Sequence, residues 1–579
     1  MSKGFRLWIQ GPMTRVFPGD LPPETRKGVF ELCAARGEVE CCQVGVRVDD
    51  VDPSRIHAGN PNHIRATVSD LTGPRGATIA AEQVDILYPE FVPVKWAATH
   101  QFPGDMERIP PAFFPDPLAP DVVFDVCGPR MPPTRSIWVR IRVPREAAAG
   151  IYDAVITVFV GRQKFNAENQ PESISFEKSA AIRFRLRVWD FDMPERSRLL
   201  MTNWFWPAEL ASWYKVRAGT PAYWHLIEVA ADDMAAHRQN VILTPLFGGA
   251  ENEDVNPQLV GIRRRGRKYA FDFRQLDRWF NMFLKRGFVL FEGQHLAGAS
   301  RKPVTIQVVS PSGRKQAVDF GDARNPKYEE FLAQFFAALW SHLGKRGWRD
   351  HFVQHISDEP NLSQLKRFRR LANLVRRAAP GMRFMDALSD PEFADVTDIP
   401  VPLESSYDRV LAKSKRTAED IWVYYCCGPC GRWPNRFIEY PLIRVRIFAW
   451  ICFQKRIPGF LHWGYNYWSA IRKKVHNPWD DPSTHRHPAG DPCVIYPPRD
   501  ERMPRDRIYG SIRWEIIRKA MEDNEYLCMT RELAESGNAE ARDILDEVAT
   551  KVVPDWTTYT RDWTYLDSVR ARMGALLSK

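Results

Sequence analysis

Two acids stand side by side in HFVQHISDEP, His351 to Pro360, where Asp358 and Glu359 follow an apolar run and precede a proline. Adjacent carboxylates push their pKa values apart, so that one stays ionised while the other keeps a proton near neutral pH. Such a pair suits cleavage of a glycosidic bond. There an acid must protonate the leaving oxygen while negative charge supports the developing cation. Asp500–Glu501 and Asp546–Glu547 repeat the dipeptide in a charged loop and along a helical stretch, so the dipeptide alone specifies nothing. The apolar strand before it and the proline after it single out Asp358 and Glu359. Pro360 disfavours the α region for Glu359 and is expected to keep it extended.

The elements around the pair predict where it lies. From about residue 200, strand-length apolar runs alternate with helix-length amphipathic segments, the rhythm of βα units. Eight runs qualify as strands: LLMTNWFW, NVILTPLF, GFVLFEGQHL, HFVQHISDEP, MRFMDALSD, DIPVPLES, IWVYYCCGP and GFLHWGYNYW. Between them lie KYEEFLAQFFAALWSHLGKRG, expected to stop at Gly344, and NLSQLKRFRRLANLVRRAAPG, expected to be capped by Asn361. The pattern predicts a (β/α)8 TIM barrel over residues 196–475, with short connections around the fifth and sixth strands. Barrel chemistry sits at the C-terminal strand ends, and Asp358 and Glu359 end the fourth strand. Residues 1–195 read as an antiparallel β-sandwich, with Val- and Ile-rich runs such as SIWVRIRVP and AAIRFRLRVWDF and turn clusters at Pro53–Ser54 and Ala149–Gly150. Residues 476–579 begin with a Pro-rich charged stretch and continue as long helices, expected as a helical extension that closes the barrel.

Bulk properties agree with a multidomain globular chain. Its 579 residues are too many for one simple core. The 20 Trp exceed what a core usually needs, so some are expected to line a cleft, where sugar faces stack on aromatic rings. The net charge of +10 is not concentrated on an element with interleaved aromatics. Its densest run, Arg263–Lys268, reads as a solvated hairpin, so no nucleic acid is expected. No stretch reaches the roughly 18 apolar residues of a membrane span, and no membrane partner is expected. MSKGFRLWIQGPMTRV lacks the apolar core of a signal peptide, and the ten Cys form no small-domain framework. The expected location is cytoplasmic, or secreted if the N-terminus has been trimmed. The expected partner is a glycan or glycoconjugate substrate; homo-oligomerisation is left open.

A retaining glycosidase ordinarily needs a second carboxylate as nucleophile about 5 Å from the acid. Barrels that carry the acid on strand four place it on strand seven, yet here that strand is IWVYYCCGP, with Tyr424 and Tyr425 and no acid. The remaining simple route is substrate assistance, in which a 2-acetamido group attacks its own anomeric carbon. Asp358 would then hold the acetamido N–H, Glu359 would be acid and then base, and a strand-seven tyrosine could bond the acetamido oxygen. Glu292 and His295 end strand three and could bind sugar hydroxyls or each other. Asn203, Trp204 and Trp206 end strand one, and Trp450 lies in the helix before strand eight; one or two of these aromatics are expected to stack on a sugar.

Rival readings are a glycosidase for a sugar without an acetamido group, using Glu292 or Glu404, and a non-catalytic carbohydrate-binding or scaffold protein. Cys427-Gly428-Pro429-Cys430 matches a dithiol motif, but Arg432, Trp433, Pro434 and Asn435 are a poor helix start, so a loop at the barrel mouth is expected. His485 and His487 lie in a Pro-rich loop, a poor setting for a metal, and no metal or cofactor is expected. Arg513, Glu515, Arg518, Glu522 and Asp523 share a helix and read as a structural ion-pair network.

The Asp-Glu-Pro on strand four, WVYYCCGP, FLHWGYNYW and the late SIRWEIIRKAMEDNEYL together resemble glycoside hydrolase family 123, the last of them its DUF4091 region. The resemblance covers roughly residues 200 to 530. It implies an exo-acting β-N-acetylgalactosaminidase with a β-sandwich before a (β/α)8 barrel, retaining by substrate assistance. Asp358 would be the oxazolinium stabiliser and Glu359 the acid/base. Tyr424, Trp463, Asn466 and Trp468 would match aromatic and amide positions around the sugar. Galactosamine stereochemistry rests on this resemblance alone. The sequence departs from the family pattern at Lys519, Ala520 and GDPCVIYPP.

Overall fold

The computed structural model describes residues 5–23, 29–48, 62–98, 105–120, 134–166, 171–247, 257–297, 304–310, 314–321, 323–470, 474–484, 487–501 and 503–579. The Pro53–Ser54 turn and His485 lie outside them. The chain forms two compact units: residues 1–195, 438–450 and 509–579, and residues 196–437 and 451–508. The units do not divide at residues 475 and 476. The C-terminal helices, expected to close the barrel, belong to the unit of the N-terminal sheets.

In the first unit, strands β1 (Phe5–Gln10), β2 (Phe30–Arg36), β3 (Val39–Val48), β4 (Asn62–Val68), β5 (Leu71–Thr72), β6 (Thr78–Ile79), β7 (Val84–Val94), β8 (Ala112–Pro120), β9 (Thr134–Arg142), β10 (Gly150–Phe165) and β11 (Pro171–Asp192) form two sheets. One has the order β1-β3-β9-β7-β8 and the other β2-β11-β10-β5-β6, with β4 also on β10. All pairings are antiparallel except β2 with β11. Alternation along the strands turns Val44, Val46, Ile137 and Val139 of one sheet and Ile156, Val158, Phe184 and Leu186 of the other into a shared core.

The second unit carries all eight expected strands, each short. They are β12 (Leu200–Asn203), β13 (Val241–Thr244), β16 (Leu290–Gly293), β19 (Phe352–Gln354), β20 (Arg383–Ala387), β21 (Ile399–Val401), β22 (Val423–Tyr424) and β23 (Gly459–His462). They pair in parallel as two sheets, β12-β23-β22 and β13-β16-β19-β20-β21. Helices separate them: α1 (Pro207–Tyr214), α2 (Pro221–Ala236), α3 (Arg274–Leu284), α4 (Pro326–Arg346), α5 (Leu365–Ala378), α6 (Pro391–Ala394), α7 (Tyr407–Lys413) and α8 (Ile443–Gln454). The short α6 and α7 are the short connections expected near the fifth and sixth strands. Asn361 caps as expected, in a capping box with Gln364 at the turn leading into α5. Helix α4 runs past Gly344 to a left-handed Gly347 at φ 73°, which accommodates the backbone turn an interior glycine does not force.

One insertion was only partly visible in the sequence. Strands β14 (Gly261–Arg265), β15 (Lys268–Asp272), β17 (Thr305–Val309) and β18 (Lys315–Asp319) form a separate sheet, β15-β14-β17-β18. The arginine run is the β14–β15 hairpin, turning at Gly266 with φ 62°.

Returning to the first unit, α9 (Ile512–Glu535), α10 (Ala539–Glu547) and α11 (Trp563–Leu577) end the chain. The Ser511 hydroxyl accepts from Trp514 N and caps α9. Helix α9 is buried on nearly every side, including its charges. Arg513 pairs with Asp116 at 2.8 Å, Arg518 with Glu515 at 2.6 Å and Lys519 with Glu40 at 2.6 Å. Asp523 receives both Arg446 of α8 and Arg570 of α11 at 2.6 Å. This is the structural network expected from the charge spacing, and it is far more buried than a helix-surface network.

Candidate active site

Strand β19 stops at Gln354, and the next five residues leave the sheet under tight control. The backbone N–H groups of Ile356 and Ser357 donate to Asp386 Oδ1 at 2.9 and 3.0 Å. Ser357 bridges Ala297 in parallel, and Glu359 N donates to the Ala387 carbonyl at 3.1 Å. The chain must then enter the capping box at Asn361. Glu359 makes this turn with a left-handed φ of 39°, so the extended conformation expected beside Pro360 is corrected. The proline ring crowds the right-handed basin of the residue before it, and the bonds on either side leave no length for an extended residue.

The turn separates the two acids. Asp358 faces the end of strand three, where His295 Nε2 lies 4.0 Å from Asp358 Oδ1. Glu359 faces strand seven, where Tyr424 donates its hydroxyl to Glu359 Oε1 at 2.5 Å. Burial and the neighbouring Glu359 push the Tyr424 phenol well above its usual range, so it remains a donor. Asp358 is partly exposed and Glu359 is exposed, as groups that meet a ligand must be.

Beneath them lies a buried cluster. His355 Nε2 is 2.9 Å from Glu292 Oε2, and its Nδ1 is 3.5 Å from Asp386 Oδ1. Burial opposes charge on this imidazole, but the bonds to Asp386 and Glu292 outweigh it and hold its pKa at about 10. Burial lifts Asp386 to about 6 despite His355 and the two backbone donors. His295 stacks against His355 at 4.6 Å between centroids. Burial, then the positive charge of His355, pushes His295 well below its usual range. His295 is therefore neutral at pH 7, and its buried Nε2 has no hydrogen-bond partner, leaving it free to turn toward Asp358. Trp204 lies across both imidazoles and donates Nε1–H to Glu292 Oε2 at 3.1 Å.

His295, His355 and Asp386 place ligand atoms within 4.8 Å of one another. The donor set fits a metal poorly, because both His355 nitrogens face carboxylates and Asp386 already accepts two backbone N–H groups. An imidazolium between two acids satisfies the same atoms.

Several expected site residues are found elsewhere. Glu292 and His295 do not bond each other; Glu292 takes His355 and Trp204, and it is fully buried. Asn466 is fully buried and clamps Trp206 through its backbone, accepting from Trp206 N at 2.8 Å and donating to Trp206 O at 3.1 Å. Trp468 is fully buried and donates to the Ile495 carbonyl at 3.0 Å. Trp450 is likewise buried and donates to Asp523 at 2.9 Å. Asn203 accepts from Arg436 at 2.8 Å beneath the strand ends. Tyr425 is buried edge-on against His462. Trp204 is a buried floor rather than an open platform. Glu404 is buried with both carboxyl oxygens unpartnered, and burial pushes its pKa well above the usual range, so it is a neutral acid away from solvent.

Trp463 is half-buried beside half-buried Tyr467, at 5.1 Å between centroids, and donates to Asp491 Oδ2 at 3.2 Å. Both pack against the aromatic cluster that contains Trp204, Trp206 and Tyr424. Sequence reasoning missed Tyr467, His355 and Asp386. His355 stood within the opening stretch, and Asp386 lies one residue before the end of strand five, as Asp358 follows strand four, which was the available signal. Cys427-Gly428-Pro429-Cys430 lies in a loop after β22, as expected, and residues 431–437 continue as turn and irregular chain, not as a helix.

The catalytic-domain model of glycoside hydrolase 123 matches residues 204–530, and the glycoside hydrolase 123 N-terminal-domain model matches residues 56–160. The chain belongs to glycoside hydrolase family 123 and is a glycosidase. A family 123 glycoside hydrolase from Clostridium perfringens, described for its glycolipid glycan hydrolysis, superposes with a TM-score of 0.72 at 16% identity, covering 99% of this chain and 98% of that one. The two share a fold. A GH2 beta-galacturonidase from Eisenbergiella tayi aligns at 10% identity over 83% of this chain and 69% of its own, with a TM-score of 0.30. A family 5 mannosidase from Rhizomucor miehei aligns at 11% identity over 57% of this chain and 94% of its own, with a TM-score of 0.32. No curated protein matches.

Proposed function

We propose that this glycosidase removes a terminal β-linked 2-acetamido-2-deoxyhexose, N-acetylgalactosamine foremost, by retaining, substrate-assisted catalysis. The observation that carries the reading is the distribution of acids. Asp358 and Glu359 are accessible, while the two candidate nucleophiles are not: Glu292 is ion-paired below the site and Glu404 is buried and neutral. A sugar that supplies its own nucleophile needs no third carboxylate.

In the first step the acetamido oxygen attacks C1 and closes an oxazolinium ring while Glu359 protonates the departing oxygen. Tyr424 occupies Glu359 Oε1 as a donor, which leaves the proton on Oε2 for the leaving group. Asp358 accepts the acetamido N–H and balances the ring's positive charge, with neutral His295 as its backstop. Glu359, now a carboxylate, takes a proton from water as that water opens the ring at C1. Two inversions give net retention. Trp463 and Tyr467 are the aromatic faces available to the sugar.

The reading also takes the eight parallel strands as one closed (β/α)8 barrel. Supporting closure are the parallel bridge Leu403–Tyr424 and the bond from Asn240 N to Met201 O at 3.4 Å, which join the two sheets at their edges. Each of the eight strands also sends a side chain into a single apolar cluster. A glycolipid glycan is the substrate class suggested by the Clostridium perfringens relative.

A panel of 4-nitrophenyl glycosides and an N-acetyl thiazoline test this. Turnover confined to 2-acetamido sugars and competitive inhibition by the thiazoline are expected. A trapped covalent glycosyl-enzyme would exclude assistance.

A further inference from the structure

Three thiols in the loop after β22 meet an imidazole from a later loop, and the glycosidase reading uses none of them. Cys426 and Cys427 place their sulfurs 3.8 Å apart, and Cys430 points its thiol at the Cys427 carbonyl at 3.6 Å. None of the three is in a disulfide, and Cys427 is exposed. The side chain of His487 hydrogen-bonds that of Cys427. His487 Nδ1 lies 3.4 Å from Asp491 Oδ2, and Asp491 is fully buried. Asp491 is held in turn by His462 at 3.2 Å and by the Trp463 N–H. An exposed sulfur, an imidazole and a buried carboxylate in series make an activated-thiol arrangement.

We propose that Cys427 is a modification site: a nucleophilic thiolate that takes soft electrophiles, hydrogen peroxide among them, and is then resolved by Cys430. The sulfur of Cys427 attacks a peroxide oxygen, the O–O bond breaks, and the departing hydroxide takes the His487 proton and leaves as water. Sulfur is oxidised to sulfenic acid and peroxide is reduced. Cys430 then attacks that sulfur; the S–O bond breaks, an S–S bond forms, and a second water carries away the thiol proton and the hydroxyl. Cys426 is the adjacent residue, and consecutive Cα atoms about 3.8 Å apart fall below the usual disulfide span.

The charges facing the thiol support this. Cys427 is lowered to about 5, first by the Cys426 thiol and then by His487, against burial and Asp491. His487 is raised to about 9, its burial outweighed by Asp491 and Cys427. Asp491 is buried but held down at about 2 by His462 and His487, with Arg436 adding to them. Both shifts run toward thiolate and imidazolium in the neutral range.

The test is peptide-level mass spectrometry of the folded full chain treated with iodoacetamide between about pH 6.5 and 8.5. An ordinary thiol of pKa about 8.5 gains tens of fold in rate over those two units, whereas Cys427 should change by less than about twofold. His487→Gln should restore the steep rise, and Cys427→Ser should abolish the pH-insensitive labelling, leaving at this peptide only the steep, pH-dependent labelling of ordinary thiols. With peroxide, the wild type should lose two hydrogens in a Cys427–Cys430 linked peptide, and Cys430→Ser should instead accumulate a dimedone-reactive sulfenate. A steep ordinary profile for wild-type Cys427 overturns the activated thiol. A dimedone adduct that persists in the wild type overturns Cys430 as its partner. These readouts are of sulfur chemistry, so a wrong sugar assignment leaves them intact.

Discussion

Two buried charge clusters, one in each unit, look alike in composition and differ in how their charges end. Along the buried length of α9 charges are met by opposite charges: Asp523 by Arg446 and Arg570, Arg513 by Asp116, Lys519 by Glu40. These seven residues are all buried. Around His355 the set is graded instead, from fully buried Glu292, His355 and Asp386, through His295 with its unpartnered Nε2, to partly exposed Asp358 and exposed Glu359. A closed network fixes structure. A network whose last members meet solvent transmits orientation and charge to whatever arrives.

The sharpest test of that difference is a pair of substitutions. Glu359→Gln should cost about two to four orders of magnitude in kcat/KM with an unchanged unfolding midpoint. Asp523→Ala should do the reverse. It leaves two buried guanidinium groups without their shared acid, at about 3–5 kcal/mol of stability in denaturant unfolding, while the folded fraction keeps its turnover per molecule. Equal kinetic damage from both would erase the distinction.

A smaller effect should appear with pH. The pKa of His355 is raised from about 6.5 unfolded to about 10 folded. The folded state therefore holds an extra proton between those values. The stability it contributes is complete below pH 6.5 and is lost as pH rises through 10, on the order of a few kcal/mol. Asp386, raised to about 6, works in the same direction between about pH 4 and 6. In the α9 network burial raises Asp523, but Arg446 and Arg570 outweigh it and hold it at about 2, and arginine stays protonated between about pH 7 and 10. His355→Gln should flatten the wild-type decline in unfolding free energy over that window, and Arg513→Met should not.

The smallest effect separates two tryptophans. Trp463→Phe should raise KM several-fold through lost stacking, about 1 kcal/mol, with kcat and melting temperature nearly unchanged. Trp468→Phe should leave both kinetic constants alone and lower the melting temperature.

The sequence carried the strands and the carboxylate pair because both depend on local pattern: apolar runs of strand length, and a proline after two acids. It misplaced residues whose role depends on partners far along the chain. Asn466, Trp450 and Trp468 have the right chemistry for sugar binding, but long-range neighbours claim their polar atoms. No periodicity announces that Trp206 will need both amide ends of Asn466, or that Asp523 will take the Trp450 indole. The same limit hid Asp386, whose task is to accept two N–H groups from the loop after the neighbouring strand. It also hid the assembly of the C-terminal helices with the first unit, since an amphipathic pattern states which face is buried and not against what.

The left-handed backbone at Glu359 bears on how this position can change over time. Asparagine or glycine would adopt that conformation with less strain, so drift for stability alone leads away from glutamate. If Glu359 is the acid of the proposed reaction, the strained backbone is a stability cost offset by reaction rate, and a screen for thermostable variants is expected to erode activity at that codon first.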